Sequence, residues 1–256
     1  MRRHTSEDDA RERFGRQAKY YVTSPTHANP AGLQKLVDLA SPHPEWNVLD
    51  VGTGPGHVAM AFAPHVRSVI GIDITPEMLV EAEALCKERG ISNVEFKVAS
   101  SLDIPFEDEA FNLVTCRRAA HHFTDIHKSI EEMWRVLVAG GKLVIDDRSI
   151  PEDNHVDELI NMLDVLHDRS HIREYRPSEW QDMLGQHSFR VEHTEQYIEH
   201  RPISSFTDGA TDVDAEQIHT MLDMLDDDQR RSINLVEIDG QLRSNHWYIV
   251  MVATKE

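Results

Sequence analysis

The chain has 256 residues, of which 40% are hydrophobic, and its formal net charge is −19. Its length allows one substantial core, so we expect one domain with embellishments and not two equal domains. The acidic balance argues against a nucleic-acid partner, which needs a Lys/Arg-rich surface, and no apolar run approaches the roughly 18 residues of a membrane span.

Two helices are predicted before the first strand. Residues 5–20 form a polar helix, and residues 30–40 form a second one whose apolar side chains share a face. The N-terminus lacks the apolar core of a signal peptide, and Cys86 and Cys116 belong to no CxxC pair. These features predict a cytoplasmic protein with neither a disulfide framework nor a zinc site.

Strands and helices alternate from residue 47 onward. The predicted strands are 47–51, 68–73, 94–99, 111–116 and 140–147. Of the helices between them, one begins at His57, one is capped by Thr75 and closes on Gly90, and one spans 125–138. Because each strand is almost continuously apolar, we expect a parallel sheet covered by helices on both faces.

Beyond Asp147 the alternation is looser. The predicted elements are helices near 156–168 and 177–187, a strand near 189–198 and a last strand at 246–255. Between those two strands, Ile218, Met221, Leu222 and Leu225 form a helical stripe. Such a stripe is more often core packing than a substrate-binding surface. The insertion is nevertheless placed to form a lid over the carboxyl edge of the sheet.

The stretch VLDVGTGPGH at residues 48–57 carries three glycines directly after the first strand. A glycine-rich turn from strand to helix lets a ligand approach main-chain N–H groups at the helix N-terminus. Asp73 ends the second strand 19 residues after Gly54. A carboxylate at this place in the topology accepts hydrogen bonds from both hydroxyls of an adenosine ribose. The two features together predict an adenosine-containing ligand.

Two classes of cofactor use this arrangement. A dinucleotide site has the pattern G-x-G-x-x-G/A. Here His57 occupies the place of the third glycine, and no basic residue lies nearby in the sequence to bind a pyrophosphate. S-adenosylmethionine carries no phosphate, so the loop favours it. A nicotinamide-dependent oxidoreductase remains the alternative, and a cofactor-binding relative without catalysis is a third possibility.

Further motifs give the chain a recognisable family resemblance. VLDVGTGPGHVA, VIGIDITPEML, LDIPFEDEAFNLVTC, RAAHHF and EEMWRVLVAGGKLVIDD occur in the order and spacing of class I S-adenosylmethionine-dependent methyltransferases. Over about residues 12–198 the chain most resembles the type 11 group, which is related to the ubiquinone/menaquinone-biosynthesis C-methyltransferases.

The resemblance implies a Rossmann-like α/β fold with seven strands in the order 3-2-1-4-5-7-6, the last strand antiparallel. It also implies an N-terminal helical flap at 1–40, a methyltransferase domain at 41–256 and a lid-like insertion at about 199–244. The expected reaction moves a methyl group from S-adenosylmethionine to a small-molecule acceptor and leaves S-adenosylhomocysteine.

The resemblance also assigns cofactor-binding positions. The methionine part of the cofactor lies along the loop residues Gly52, Thr53, Gly54 and Gly56, which Asp50 supports, and Arg117 lines the methionine end. Asp73 binds the ribose. The adenine lies by Ile74 and Leu102 and accepts a hydrogen bond from the backbone N–H of Ser101. Ser100 departs from the pattern, because many relatives carry an aspartate there for the adenine amino group. Tyr20 and Tyr21 belong to the flap, where they cover the cofactor or pack against the domain.

His121 and His122 are the candidate general bases. They follow the fourth strand at the edge where ligands bind, and an unperturbed histidine pKa near 6.5 suits proton removal at neutral pH. A base is needed only if the acceptor must lose a proton. The alternative is that the pair starts the next helix or packs there. No metal is expected, since no HxxxH or HExxH pair stands out.

Overall fold

The computed structural model describes residues 7–208 and 210–256, and a single mixed sheet organises them. Its strands are β1 (Asn47–Val51), β2 (Ser68–Asp73), β3 (Val94–Val98), β4 (Phe111–Arg117), β5 (Leu137–Ser149), β6 (Phe189–Pro202), β7 (Val236–Ile238) and β8 (Gln241–Lys255). The order is β3-β2-β1-β4-β5-β8-β6, with β7 on β8. β1 to β5 run parallel, and β8 is antiparallel to both neighbours. The predicted order and the antiparallel last strand are confirmed, with the short β7 added.

Helices cover the sheet. They are α1 (Glu7–Thr23), α2 (Pro30–Ala40), α3 (His57–Phe62), α4 (Pro76–Arg89), α5 (Ile126–Val136), α6 (Asn154–His167), α7 (Pro177–Gln186), α8 (Ser204–Thr207), α9 (Asp212–Asp223) and α10 (Asp227–Ser232). Local signals account for several of the ends: Asn29 accepts hydrogen bonds from two N–H groups of α2, and α4 closes on Gly90 at φ +66°. Among the described residues, no helix combines the length and apolarity needed to cross a membrane.

Apolar side chains fill both faces of the sheet. Along β1, Val48 packs in the layer beneath α2 and α3, whereas Leu49 and Val51 pack in the layer beneath α5 and α7. All three are at most 1% exposed. Burying such a side chain stabilises the fold by about 1.5–3 kcal/mol. This two-sided burial explains why the strands read as continuous apolar runs.

The structure corrects the predicted end of α5, the start of β5, the end of β6 and the start of β8. α5 stops at Val136 and β5 begins at Leu137. Gly140 has a left-handed φ of +73° and lies inside β5, where the pairing with β4 shifts register, instead of forming a turn before the strand. β6 continues to Pro202 and β8 starts at Gln241, so the segment between them is 203–240. The early start of β8 comes from a tight hairpin whose Asp239 and Gly240 both have positive φ.

The helical stripe in this segment belongs to a small second core. Ile218 and Leu222 of α9 are at most 1% exposed and pack with Ile160 and Leu163 of α6. The interpretation as core packing is therefore confirmed. The same segment also reaches the carboxyl edge of the sheet, where Ser205 and Asp208 line a cavity.

Candidate functional site

Asp50 fixes the glycine loop from beneath. Its two carboxylate oxygens accept hydrogen bonds from Thr53 Oγ1 (2.6 Å) and Thr115 Oγ1 (2.7 Å). Asp50 is 1% exposed, and this burial raises its pKa to about 6. The arrangement ties the loop after β1 to the neighbouring strand β4, as expected for a supporting residue.

The three loop glycines have different surroundings, although all have positive φ. A Cβ at Gly52 would lie 2.5 Å from Ala119 Cβ, and a Cβ at Gly56 would lie 2.8 Å from Phe96 Cζ. Those two glycines are required by packing within the protein. A Cβ at Gly54 would have nothing within 4 Å, so this is the position where the loop backbone borders open space.

Asp73 stands at the end of β2 beside the same loop. Its Oδ2 accepts a hydrogen bond from Gly54 N and its Oδ1 accepts one from Thr75 N, both at 2.9 Å. Burial raises the pKa of the Asp73 carboxyl. Each carboxylate oxygen has a second lone pair, so the held carboxylate is able to accept hydrogen bonds from a vicinal diol.

A first cavity of about 970 Å³, counting the open space at its mouth, lies over this loop. The predicted residues that line it are Asp50, Gly52, Thr53, Gly54, Asp73, Ile74, Ser101, Arg117 and His122. Residues Glu7, Ala10, Phe14 and Tyr21 of α1 also line it. The sequence alone predicts no site role for Glu7, Ala10 and Phe14, because α1 has the pattern of a polar helix.

Other predicted residues lie outside this cavity. Gly56 packs against Phe96 instead of lining it. The Ser100 hydroxyl donates to Glu7 and accepts a hydrogen bond from Leu102 N at 3.0 Å, and neither Ser100 nor Leu102 is in the lining. Their binding roles stay predictions.

The Arg117 guanidinium is engaged within the protein. Its Nε donates to Asp146 Oδ2 at 2.8 Å, its Nη1 to His27 O at 2.9 Å and its Nη2 to Thr26 O at 3.0 Å. Arg117 therefore ties the segment between α1 and α2 to the sheet edge. Its predicted role at the methionine end stays a prediction.

A second cavity of about 1430 Å³, again including open space, adjoins the first. Phe14, Tyr21, His27, Arg118 and His122 line both cavities. The two spaces therefore meet at a common wall at the carboxyl edge of β4.

Two candidate residues lie in the second cavity and not in the first. Tyr20 and His121 both line it. Tyr20 is 63% exposed, so it lies at the solvent side of the cavity, and its contact with the cofactor stays a prediction.

His121 is oriented by a buried carboxylate. Its Nδ1 lies 2.6 Å from Asp147 Oδ1, and its backbone N–H donates to Asp147 Oδ2. Burial lowers the pKa of His121 well below its ordinary value and raises the pKa of Asp147 to about 6. The ring is therefore neutral near pH 7, Nδ1–H donates to Asp147, and Nε2 is available as a base.

His122 lies at the common wall of the cavities. Its Nδ1 is 3.2 Å from Ser170 O, and its ring makes an edge contact with Phe14 at 4.9 Å. The His121 and His122 rings are 4.1 Å apart. Both residues lie in a short 3-10 helix, Ala120–His122, that ends before α5 begins, so the pair does not start that helix.

The position of Asp147 in the sequence is itself a signal for a site residue. Asp146 and Asp147 lie near the end of β5, directly beside the end of β4 in the sheet, so both strands direct polar groups to one edge. Asp147 reaches His121 from 26 residues away. Among the described residues, no group of three or more His, Cys, Asp or Glu side chains could hold a metal ion.

Comparisons with known proteins agree with this architecture. A family model described as a methyltransferase domain matches residues 42–223. The chain is similar to an uncharacterised methyltransferase of Bacillus subtilis, YcgJ, with 37% identity over 221 residues that cover 85% of this chain and 87% of the relative. It is also similar to the UbiE C-methyltransferase of ubiquinone/menaquinone biosynthesis from a Geobacter species, with 40% identity over 41% of this chain and 46% of that protein.

Two crystal structures are close in fold. The YcgJ structure has a TM-score of 0.83 and 33% identity, and the alignment covers 88% of this chain and 98% of that one. A putative methyltransferase from Bacillus halodurans has a TM-score of 0.84 and 32% identity, with 88% and 99% covered. The sheet described above is therefore shared with these two proteins.

Proposed function

The chain belongs to the methyltransferase-domain family and carries out S-adenosylmethionine-dependent methyl transfer. From this premise we propose which reactant each of its two cavities binds. The first cavity holds the cofactor and the second holds a small-molecule acceptor. The observation that carries this proposal is the common wall, which includes His122 and Arg118. Reactants in adjoining spaces meet at such a wall, where positioning alone lowers the barrier strongly.

The residues of the first cavity fit the cofactor. Asp73 retains acceptor capacity for two ribose hydroxyls, Ile74 and Met78 offer apolar surface to a purine, and Gly54 leaves room for the methionine portion. Arg117 directs its guanidinium into the protein, as suits a ligand without phosphate. When bound, the cofactor supplies a methyl group that its sulfonium has already activated.

His121 is the proposed general base of the second cavity. Its neutral Nε2 accepts the proton that the acceptor loses as the methyl group is transferred. Asp147 is a positioning residue, because it holds the imidazole through Nδ1 and stabilises the positive charge that develops on the ring. His122 shapes the wall between the two reactants.

Helix α1 acts as a flap over both cavities. Phe14 and Tyr21 line each of them, and Arg13 is anchored to Asp168 at 2.8 Å. His57 Nε2 lies 3.1 Å from Tyr21 O. The flap excludes water from the reacting groups, which methyl transfer needs more than it needs chemical activation.

A cytoplasmic setting is also proposed, supported by two buried free cysteines.

The base assignment is tested by substitution. An acceptor is first identified by incubating the protein with methyl-labelled cofactor and a metabolite extract. His121→Gln is then expected to lower single-turnover methyl transfer by roughly 10²–10⁴, with cofactor affinity unchanged. His127→Gln is the matched control, because His127 lies on α5 outside both cavities. A His121→Gln rate within threefold of wild type would show that no base acts there.

A further inference from the structure

The arginines that line the second cavity differ in how far carboxylates of the protein pair with them, and this difference indicates the kind of molecule that the cavity holds. Arg148 is held by Asp164, at 2.9 Å from each Nη, and by Glu174. Arg13 is held by Asp168. These two arginines have carboxylate partners and leave no positive charge for a ligand.

Arg118 is different. The carboxylate nearest to it, Asp146, is 3.7 Å from its Nε and already accepts hydrogen bonds from Arg117 and Tyr197. Arg118 Nη2 donates to Tyr197 Oη at 2.7 Å, while its Nε is buried without a hydrogen-bond partner among residues 7–208 and 210–256. Asp146 is thus shared between two guanidinium groups, and the Arg118 guanidinium at the common wall keeps hydrogen-bonding capacity that the described residues do not use.

The backbone of Arg118 supports a functional reading. Its φ is +55°, a left-handed conformation that is strained for a residue with a Cβ and that clusters at functional sites. The guanidinium carbon lies 3.7 Å from the centroid of the Tyr248 ring, and the side chain is 6% exposed. Stacking on the aromatic face holds the planar group in a fixed orientation.

Arg201 of β6 approaches the same tyrosine from the hydroxyl side. Its Nη1 donates to Tyr248 Oη at 3.1 Å. In the part of the chain that the structure describes, no carboxylate forms an ion pair with it, and its Nε and Nη2 make no hydrogen bond. Both arginines line the second cavity, whose remaining acidic residue, Asp208, is exposed.

We propose that the acceptor carries an oxyanion, a carboxylate or a phosphate, that binds between Arg118 and Arg201 in the second cavity. The inference rests on the proposed function, since it names the substrate class of that same cavity. A guanidinium presents a planar set of donors that matches the oxygens of either group. Bound there, the anion pairs with Arg201, which has no carboxylate partner among the described residues, and it fixes the acceptor beside the wall shared with the cofactor.

The experiment measures binding of three matched probes to the full chain in the presence of saturating S-adenosylhomocysteine: benzoate, phenyl phosphate and benzamide. By titration calorimetry, at least one anion is expected to bind tenfold or more tightly than the neutral amide. Arg201→Gln and Arg118→Gln should remove that preference. Arg190→Gln, on the same strand β6 but outside the cavity and 56% exposed, should retain it.

The outcomes separate the two proposals. If the wild-type chain does not bind S-adenosylhomocysteine, the assignment of the first cavity to the cofactor is refuted. Cofactor binding with no preference for either anion, or with no probe bound at 10 mM, would overturn the oxyanion inference alone. A preference that survives Arg201→Gln would overturn it as well, and this variant does not depend on the buried Arg118. The anion that binds more tightly identifies carboxylate or phosphate as the group recognised.

Discussion

Replacement of Gly54 by alanine tests whether the open point of the glycine loop faces the cofactor. Gly54 has φ +53°, and an added Cβ would have nothing within 4 Å. Gly90, at the end of α4, has φ +66° and equally open surroundings. An alanine in the left-handed region costs about 1–2 kcal/mol, so both variants are expected to lose similar stability, a fall in Tm of about 2–8 °C.

Cofactor affinity separates the two variants. In Gly54→Ala the new methyl group occupies space that the ligand needs, and overpacking of this kind costs about 1–3 kcal/mol, which is a roughly 5- to 150-fold weaker Kd. In Gly90→Ala the Kd is expected to be unchanged. Calorimetric titration with S-adenosylhomocysteine and thermal melting measure both effects. Equal weakening in the two variants, or wild-type affinity in Gly54→Ala, would refute the assignment of the loop.

Three other predictions use different observables. Asp73→Asn keeps an acceptor oxygen but loses the charge, so the binding free energy of S-adenosylmethionine, measured by calorimetry, is expected to weaken by about 1.5–3 kcal/mol. A change in Kd below twofold would contradict the ribose role of Asp73. Turnover should stay level from pH 8 to 6.5, because burial lowers the pKa of His121 and the ring stays neutral over this range. It should fall at lower pH, where Asp147, with a pKa of about 6, takes up a proton. A fall centred at pH 7 or above would exclude His121 as the base. Deletion of residues 1–23 removes α1 but keeps the Thr26 and His27 carbonyls that Arg117 binds. It should reduce turnover by roughly tenfold or more while Tm falls only slightly, since Ala10 and Ala18 are the residues that α1 buries. Unfolding of the truncated chain would show that α1 is structural.

The sequence pattern by itself determined the alternation of strands and helices and the place of the ligand edge, whereas the order of the strands was expected from the family resemblance. Strands buried on both faces must be apolar at nearly every position, as in Val48, Leu49 and Val51 of β1, so the alternation of apolar runs with helical periods was visible without a structure. The spacing from Gly54 to Asp73 placed two loops at adjacent strand ends, because β1 and β2 are neighbours in register. Both inferences use local pattern and chain order alone.

Only the tertiary structure decided which side chains meet. The contact of His121 with Asp147, the closure of both cavities by Phe14, and the sharing of Asp146 between Arg117 and Arg118 join residues far apart in the chain. The space where a Cβ of Gly56 would lie is taken by Phe96 from another strand, a contact that the loop sequence alone does not reveal. Periodicity shows which face of an element is buried, not which partner fills the space beside it. That partner is set by packing and by hydrogen bonds across strands, and these exist only once the chain has folded.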